Sequence, residues 1–367
     1  MNPKVARIGD FIARIIDGKA TTHIGKKKNR SKALLIIGLI IMFIMFMISV
    51  CVGPTGFVDP ISSLKYILTG IGGGELGPNE TVVFNSRVPR TITAMTVGIG
   101  LSIAGAAYQA VIRNPLVDPY IMGVSSGAGT FAIAVIGFNF TLFGLLPSDS
   151  VYLTAVCAII GGLLAFAMTF LLAQRAGGTT NAYVLSGVVV GLVFSAIQTV
   201  MIIFAGNHVS NALLWLFGSF SSVTWTQTIF LIITVTILSL MIMRYSKELN
   251  LLLLGEDQAR QMGLKVKRYN AIILTVASVL TAFCVAFVGI IGFVGLVTPH
   301  LCRMLLGGDH RLVLPASIAV GSTLMIIADL FSRMVIPGLE LPVGAITTII
   351  GVPVFAYLLF KRGKING

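Results

Sequence analysis

The chain has 367 residues, of which 56% are hydrophobic and 11% charged, with a formal net charge of +13. A soluble domain usually carries about 25% charged residues, so the composition excludes an ordinary globular enzyme and points to a protein that crosses a membrane repeatedly. The positive charge does not point to nucleic acid: nine of the 26 Lys and Arg lie between Lys4 and Lys32 and most others flank apolar runs, as the positive-inside rule describes.

The first 32 residues read as a basic cytoplasmic tail. Val5, Ile8, Phe11, Ile12, Ile15 and Ile16 recur at helical spacing among Lys4, Arg7 and Arg14. This is either a short amphipathic helix on the inner leaflet or a tethered basic tail. The charged stretch is too long for a cleavable signal peptide, and no small-residue cleavage site follows.

Residues 33–363 form the membrane domain. A bilayer core is crossed by about 20 apolar residues in a helix. Ten runs approach that length, at 33–52, 91–110, 121–138, 151–173, 182–205, 226–243, 270–288, 291–305, 312–333 and 343–360. The eighth is short and follows the seventh closely, so the two could form one broken hairpin. Ten spans put both termini on one side. The KKKNR run at 26–30 and Lys361, Arg362 and Lys364 make that side cytoplasmic. Only Lys65, Arg87, Arg90 and Arg333 then fall outside, leaving 22 of the 26 Lys and Arg inside. The expected fold is an all-α polytopic membrane protein of about ten transmembrane helices, surrounded by lipid.

The second span has no charge between Thr91 and Ala110. Gly98, Ser102, Ala106 and Ala110 make a small-residue stripe that lets another helix approach closely. Gly289, Gly292 and Gly295 read as a similar stripe at three-residue steps. Cys51, Cys157, Cys284 and Cys302 lie in or beside apolar runs without CxxC spacing, which suits buried small residues better than disulfides or zinc ligands.

No Asp, Glu, Lys or Arg stands in the middle of a span. Ion-coupled carriers usually place ionisable groups or broken helices near the midplane. Here there are only Asp329, near the outer end of the ninth span, and His300 in the eighth. Asp329 and Arg333 are spaced to pair on one helix face. His300 follows Pro299, and a structural hydrogen bond suits it better than a ligand role. The sequence shows no metal-ligand cluster, catalytic set or phosphate loop, so no catalytic or metal-binding residue is assigned.

Between the sixth and seventh spans lies a cytoplasmic loop, residues 244–268. It contains a short amphipathic helix with polar Glu256, Asp257 and Arg260 against apolar Leu254, Ala259, Met262 and Leu264. Acid at its start suits the helix dipole, and Gly263 fits a helix-ending position. Such a helix can meet a peripheral partner or rest on the bilayer.

Several motifs in order carry a resemblance. They are RVPR (87–90), AGAAYQAVIRNPLVDPYIMGVSSGA (104–128), LLLLGEDQARQMG (251–263), GFVGLVTPHLCR (292–303), GGDHR (307–311) and LPVGAITTIIGVPVF (341–355). From about residue 58 to 363 the chain resembles the permease subunit of type II ABC importers, the FecCD-type group that takes up iron–siderophore chelates, haem and cobalamin. The resemblance implies a homodimer in a prokaryotic cell membrane. Two cytoplasmic ABC ATPase subunits would drive it, and an extracytoplasmic substrate-binding protein would deliver the cargo. ATP and Mg would act on the partner ATPase, so this chain is not an enzyme and binds no cofactor itself.

The resemblance also implies site roles. Leu254, Gly255, Glu256, Ala259, Arg260 and Gly263 match the coupling helix that seats on the ATPase. Asn114 and Leu116, with Thr180 and Asn181, match the two turns of a cytoplasmic gate. The pairing of Thr180 with Asn181 departs from some relatives, and the long basic tail departs from the shorter starts common in the family. Arg87, Arg90 and Arg333 match outer-face residues that dock the binding protein, although interfacial snorkelling also accounts for them. The motifs leave the cargo open among iron–siderophore, haem, corrinoid and molybdate or tungstate, with iron chelate favoured and corrinoid close behind. A secondary carrier or channel would need midplane charges or a polar pore, and a membrane enzyme a polar cluster at one leaflet.

Overall fold

The computed structural model describes residues 23–138, 150–336 and 338–363. The tail pattern at residues 4–16, and Lys364, lie outside these. Ten apolar helices succeed one another where ten runs were read: α1 (His23–Cys51), α2 (Val88–Val111), α3 (Val124–Phe138), α4 (Val151–Arg175), α5 (Thr180–Phe204), α6 (Trp225–Arg244), α7 (Val266–Val288), α8 (Val294–Leu306), α9 (His310–Met334) and α10 (Val343–Gly363). Among the described residues seven helices are long and apolar enough to cross a membrane, and α3, α8 and α10 supply shorter apolar ones. α1 begins about ten residues before the expected start at 33. Lys and Arg are good helix formers, so the helix runs back through the basic segment and the boundary at residue 32 falls inside it.

α2 is the centre of the fold. Of its 24 residues 21 are buried, whereas α1 and α5 leave most of their surface open. It packs against α6, α7, α8 and α9, while α3 packs against α4 and α5. The small residues decide how close the neighbours come. A methyl added at Gly98 would stand 2.4 Å from the carbonyl oxygen of Gly321 on α9, and Gly321 faces Ser102 in return. A methyl at Gly105 would stand 1.9 Å from the carbonyl oxygen of Gly295 on α8. Two close backbone crossings result, one with α9 at Gly98 and Ser102 of the stripe and one with α8 at Gly105, which lies outside the stripe.

The second glycine stripe is not a helix face. Gly289 ends α7 at φ +77, and Phe293 stands before α8 at φ +67. Residues 289–293 break the helix, so Gly289, Gly292 and Gly295 do not share one surface. Non-helical backbone at this depth needs internal partners. The Tyr120 hydroxyl supplies one, donating to the Ile291 carbonyl oxygen at 2.9 Å. Tyr120 belongs to a short 3-10 turn, Pro119–Met122, that precedes α3. Gln109 near the end of α2 adds a second tie, donating through Nε2 to the Val117 carbonyl oxygen at 3.1 Å and to that of Gly295 at 3.3 Å.

We call the end carrying residue 113, the 244–268 loop and residues 307–309 the inner end, after the charge asymmetry of the sequence. The other is the outer end. There a helix Pro78–Val82 and a π-turn Val83–Arg87 run straight into α2. A two-stranded hairpin, Val52–Gly53 with Gly56–Phe57, follows α1.

Candidate functional site

At the inner end α2 stops at Val111, and the chain turns sharply. Arg113 has φ +54, a left-handed conformation rare for a residue with a side chain. The Asn114 carboxamide oxygen accepts from the Leu116 amide at 2.9 Å, closing a tight turn. Leu116 remains 47% exposed at its tip. A second turn leads into α5, where the Thr179 hydroxyl caps the helix by accepting from the Ala182 amide at 3.2 Å. Asn181 is exposed beside it. Arg113 joins the two turns, because its Nη2 donates to the Thr180 hydroxyl at 3.2 Å.

The same guanidinium reaches the 244–268 loop. Arg113 Nη2 lies 3.5 Å from Glu256 Oε1, and Arg260 Nη2 lies 3.7 Å from Glu256 Oε2. Glu256 opens a six-residue helix, Glu256–Gln261. Gly255 at φ +108 sets its entry, and Gly263 at φ +87 lies just beyond its end. The apolar residues of this segment do not form one face. Ala259 is fully buried and Leu264 nearly so, while Leu253, Leu254 and Met262 are exposed. The buried pair anchors the helix to the membrane body. The exposed set gives it an outward apolar surface.

A second clasp holds the loop from its other flank. Asn250, on the helix Ser246–Leu252, donates to Asp309 Oδ1 at 2.6 Å, and the His310 amide donates to Asn250 Oδ1 at 2.8 Å. Asp309 also caps α9, accepting from the Arg311 amide at 3.0 Å. Burial alone would raise the Asp309 carboxyl. The hydrogen bonds from Asn250 and Arg311 and the charge of Arg311 outweigh it and hold the group below its ordinary value. The GGDHR motif therefore ties the loop to α9, while Arg113 ties it to α2 and α5.

The three outer arginines occupy the opposite end of the same framework. Arg87, Arg90 and Arg333 are 3%, 7% and 3% exposed. Arg87 donates through Nη1 to the carbonyl oxygen of Cys51 at 2.8 Å and through Nη2 to that of Gly56 at 2.7 Å. It thereby satisfies the open C-terminus of α1 and holds the hairpin. Arg333 donates to the Ser49 carbonyl oxygen at 2.7 Å. Arg90 pairs with Asp329 at 2.8 Å and with Glu340 at 2.7 Å. Asp329 and Arg333 do pair, at 3.4 Å, but Arg90 is the nearer partner. The expectation of three open docking cations does not fit this placement. A buried guanidinium needs several acceptors, and here the fold itself supplies most of them, leaving Arg87 Nε and Arg90 Nη2 without a hydrogen-bond partner.

Beside this network an outer cleft of about 680 Å³ opens between α3, α4, α7 and residues 208–222, lined by Trp215, Phe287, His208, Asn211, Ser222 and Glu340. His300, on α8, is buried with its ring edge-on to Phe355 at 6.2 Å.

Residues 27–361 match the FecCD transport family. The chain belongs to that family. An ABC transporter permease protein of Methanocaldococcus jannaschii is 36% identical over 348 residues, covering 92% of this chain and 98% of that protein. The cobalamin import permease of Halobacterium salinarum is 38% identical over 284 residues, covering 77% of this chain and 74% of its own length. A solved structure described as an inward-facing metal-chelate type ABC transporter superposes with a TM-score of 0.77 at 30% identity, covering 89% of this chain and 98% of that one. The protein is thus a multi-pass ABC importer permease.

In this permease the structure gathers Asn114, Leu116 and Thr180 with Gly255 and Glu256 into one inner cluster, with Asn181 and Arg260 at its edge. The residue that joins them, Arg113, was not singled out from sequence. Neither were Gln109, Asn250 and Asp309. A cation after an apolar span reads as ordinary flanking charge, and only its positive φ and two partners distinguish it.

Proposed function

We propose that this permease works as a homodimer and imports a corrinoid, driven by two ABC ATPase subunits seated at the inner end and supplied by a binding protein at the outer end. ATP and Mg act on the ATPase. The observation that carries the reading is the inner cluster, where Arg113, next to Asn114 in the first gate turn, reaches Thr180 of the second and Glu256 of the coupling helix. Exposed Leu253, Leu254 and Met262 beside it offer an apolar surface for a peripheral subunit. The weakly buried α5 supports the dimer, since Leu185, Val188, Val189, Leu192 and Val193 are exposed at helical spacing along it. At the outer end the binding protein meets the hairpin and cleft that Arg87, Arg90 and Arg333 brace. These arginines then act by holding the docking surface.

Corrinoid is preferred because two kinds of relative name it: the archaeal cobalamin permease and the vitamin B12 import permease of Escherichia coli, which is 33% identical over 326 residues. The iron-chelate preference drawn from motifs has no such specific support. A metal chelate remains the second reading, on the strength of the metal-chelate type structural neighbour. The test is ATP hydrolysis by the assembled complex in nanodiscs, with its binding protein loaded with cyanocobalamin. Cyanocobalamin is expected to stimulate hydrolysis and to bind the binding protein tightly. Stimulation by a ferric siderophore and not by cyanocobalamin would move the cargo to iron chelates.

A further inference from the structure

We infer that Arg113 is the positioning residue that transmits the state of the coupling helix to both gate turns. The inference rests on the importer reading and goes further, naming the contact through which the gate is driven.

The backbone argument comes first. A non-glycine residue in the left-handed region costs about 1–2 kcal/mol. Arg113 stands there at φ +54, immediately after α2, at a position where Gly or Asn would be easier. The side chain is what the strained position gains. It reaches Thr180 on one side and Glu256 on the other, at 3.2 Å and 3.5 Å.

The strength of the contact is the second point. The Arg113 side chain is 36% exposed and that of Glu256 26%. Exposed ion pairs contribute little to stability, so this bridge is poorly suited to holding the fold together. A weak contact that spans three separate elements is suited to being broken and remade as the coupling helix moves. Arg260 offers Glu256 an alternative partner at 3.7 Å, so the carboxylate has a second place to go when Arg113 leaves.

The third point is leverage. Arg113 lies two residues beyond the 24-residue α2, a rod of about 36 Å. The other end of α2 holds Arg90, whose guanidinium ties α9 to Glu340 at the outer cleft. A displacement of the coupling helix that pulls Arg113 therefore acts on a stiff element anchored at the outer face.

The test places a reporter on the gate. Leu116→Cys is introduced into the permease assembled with its ATPase, with the native cysteines as background; Cys51, Cys284 and Cys302 are buried. The rate of maleimide labelling is measured with and without ATP, alongside ATP hydrolysis. In the otherwise wild-type complex ATP is expected to change the labelling rate by about tenfold, within the usual range of allosteric coupling. Arg113→Asn, which suits the left-handed backbone, is expected to abolish that change while hydrolysis continues. Arg113→Lys, which keeps the charge and loses the fork, is expected to restore part of it. An Arg113→Asn complex whose gate still responds overturns the inference, as does one that no longer assembles or hydrolyses ATP. If the wild-type gate ignores ATP, the importer reading fails as well.

Discussion

A single methyl tests how tightly the permease is packed. At Gly105 it would meet the Gly295 carbonyl oxygen at 1.9 Å, whereas at Gly292 it would meet nothing within 4 Å. Gly105→Ala is expected to destabilise by about 1–3 kcal/mol or more, and Gly292→Ala by less than about 0.5 kcal/mol. Thermal unfolding midpoints in detergent check the contrast, and equal shifts would deny the α2–α8 crossing. The spacing of Gly98 and Ser102 made the close-packed face toward α9 legible in the sequence, whereas Gly105, which meets α8, lay outside that stripe. Spacing could not say which helices fill it. It also misled at Gly289, Gly292 and Gly295, because small residues at regular steps look alike on a helix and across a helix break. Only the positive φ values of Gly289 and Phe293 separate the two. Arg113 was hidden for a related reason, since its charge fits the positive-inside pattern whether or not it does anything more.

At the scale of elements, ends matter more than middles. The last carbonyls of α1 have no helical partner, and Arg87 supplies the donors from the turn before α2. Arg87→Met is expected to cost about 2 kcal/mol or more, because carbonyl groups are left buried and unpaired. It should also loosen the 52–57 hairpin. Limited proteolysis of that hairpin, with a thermal midpoint, is the check, and an unchanged hairpin would show that Arg87 does not hold it. The existence and order of the ten helices were legible, since each apolar run announces itself independently. The burial of the outer arginines was not. A basic residue at a span end reads alike whether it faces water or a carbonyl from a helix far away in sequence. A short helix does stand in the 244–268 loop, at Glu256–Gln261, but the apolar residues around it divide between the membrane body and the surface, a split that so short a segment at one helical period cannot reveal.

The whole molecule joins these ends. One central helix connects an outer network of Arg90, Asp329 and Glu340 to an inner crossroads of Arg113, Thr180 and Glu256. Its neighbours are drawn close by glycine crossings, and the broken segment between α7 and α8 is tied back by Tyr120. On the proposed reading such a machine needs no proton or cation path, because force would enter through the 244–268 loop. The energy source is therefore the most direct test. Purified permease is reconstituted in liposomes with its ATPase and binding protein, and uptake of radiolabelled cyanocobalamin is followed with ATP on the side of the coupling loop or with an imposed proton or sodium gradient. Uptake that requires ATP on that side and persists when ionophores collapse every gradient is the predicted result. Uptake driven by a gradient in the absence of ATP would contradict it.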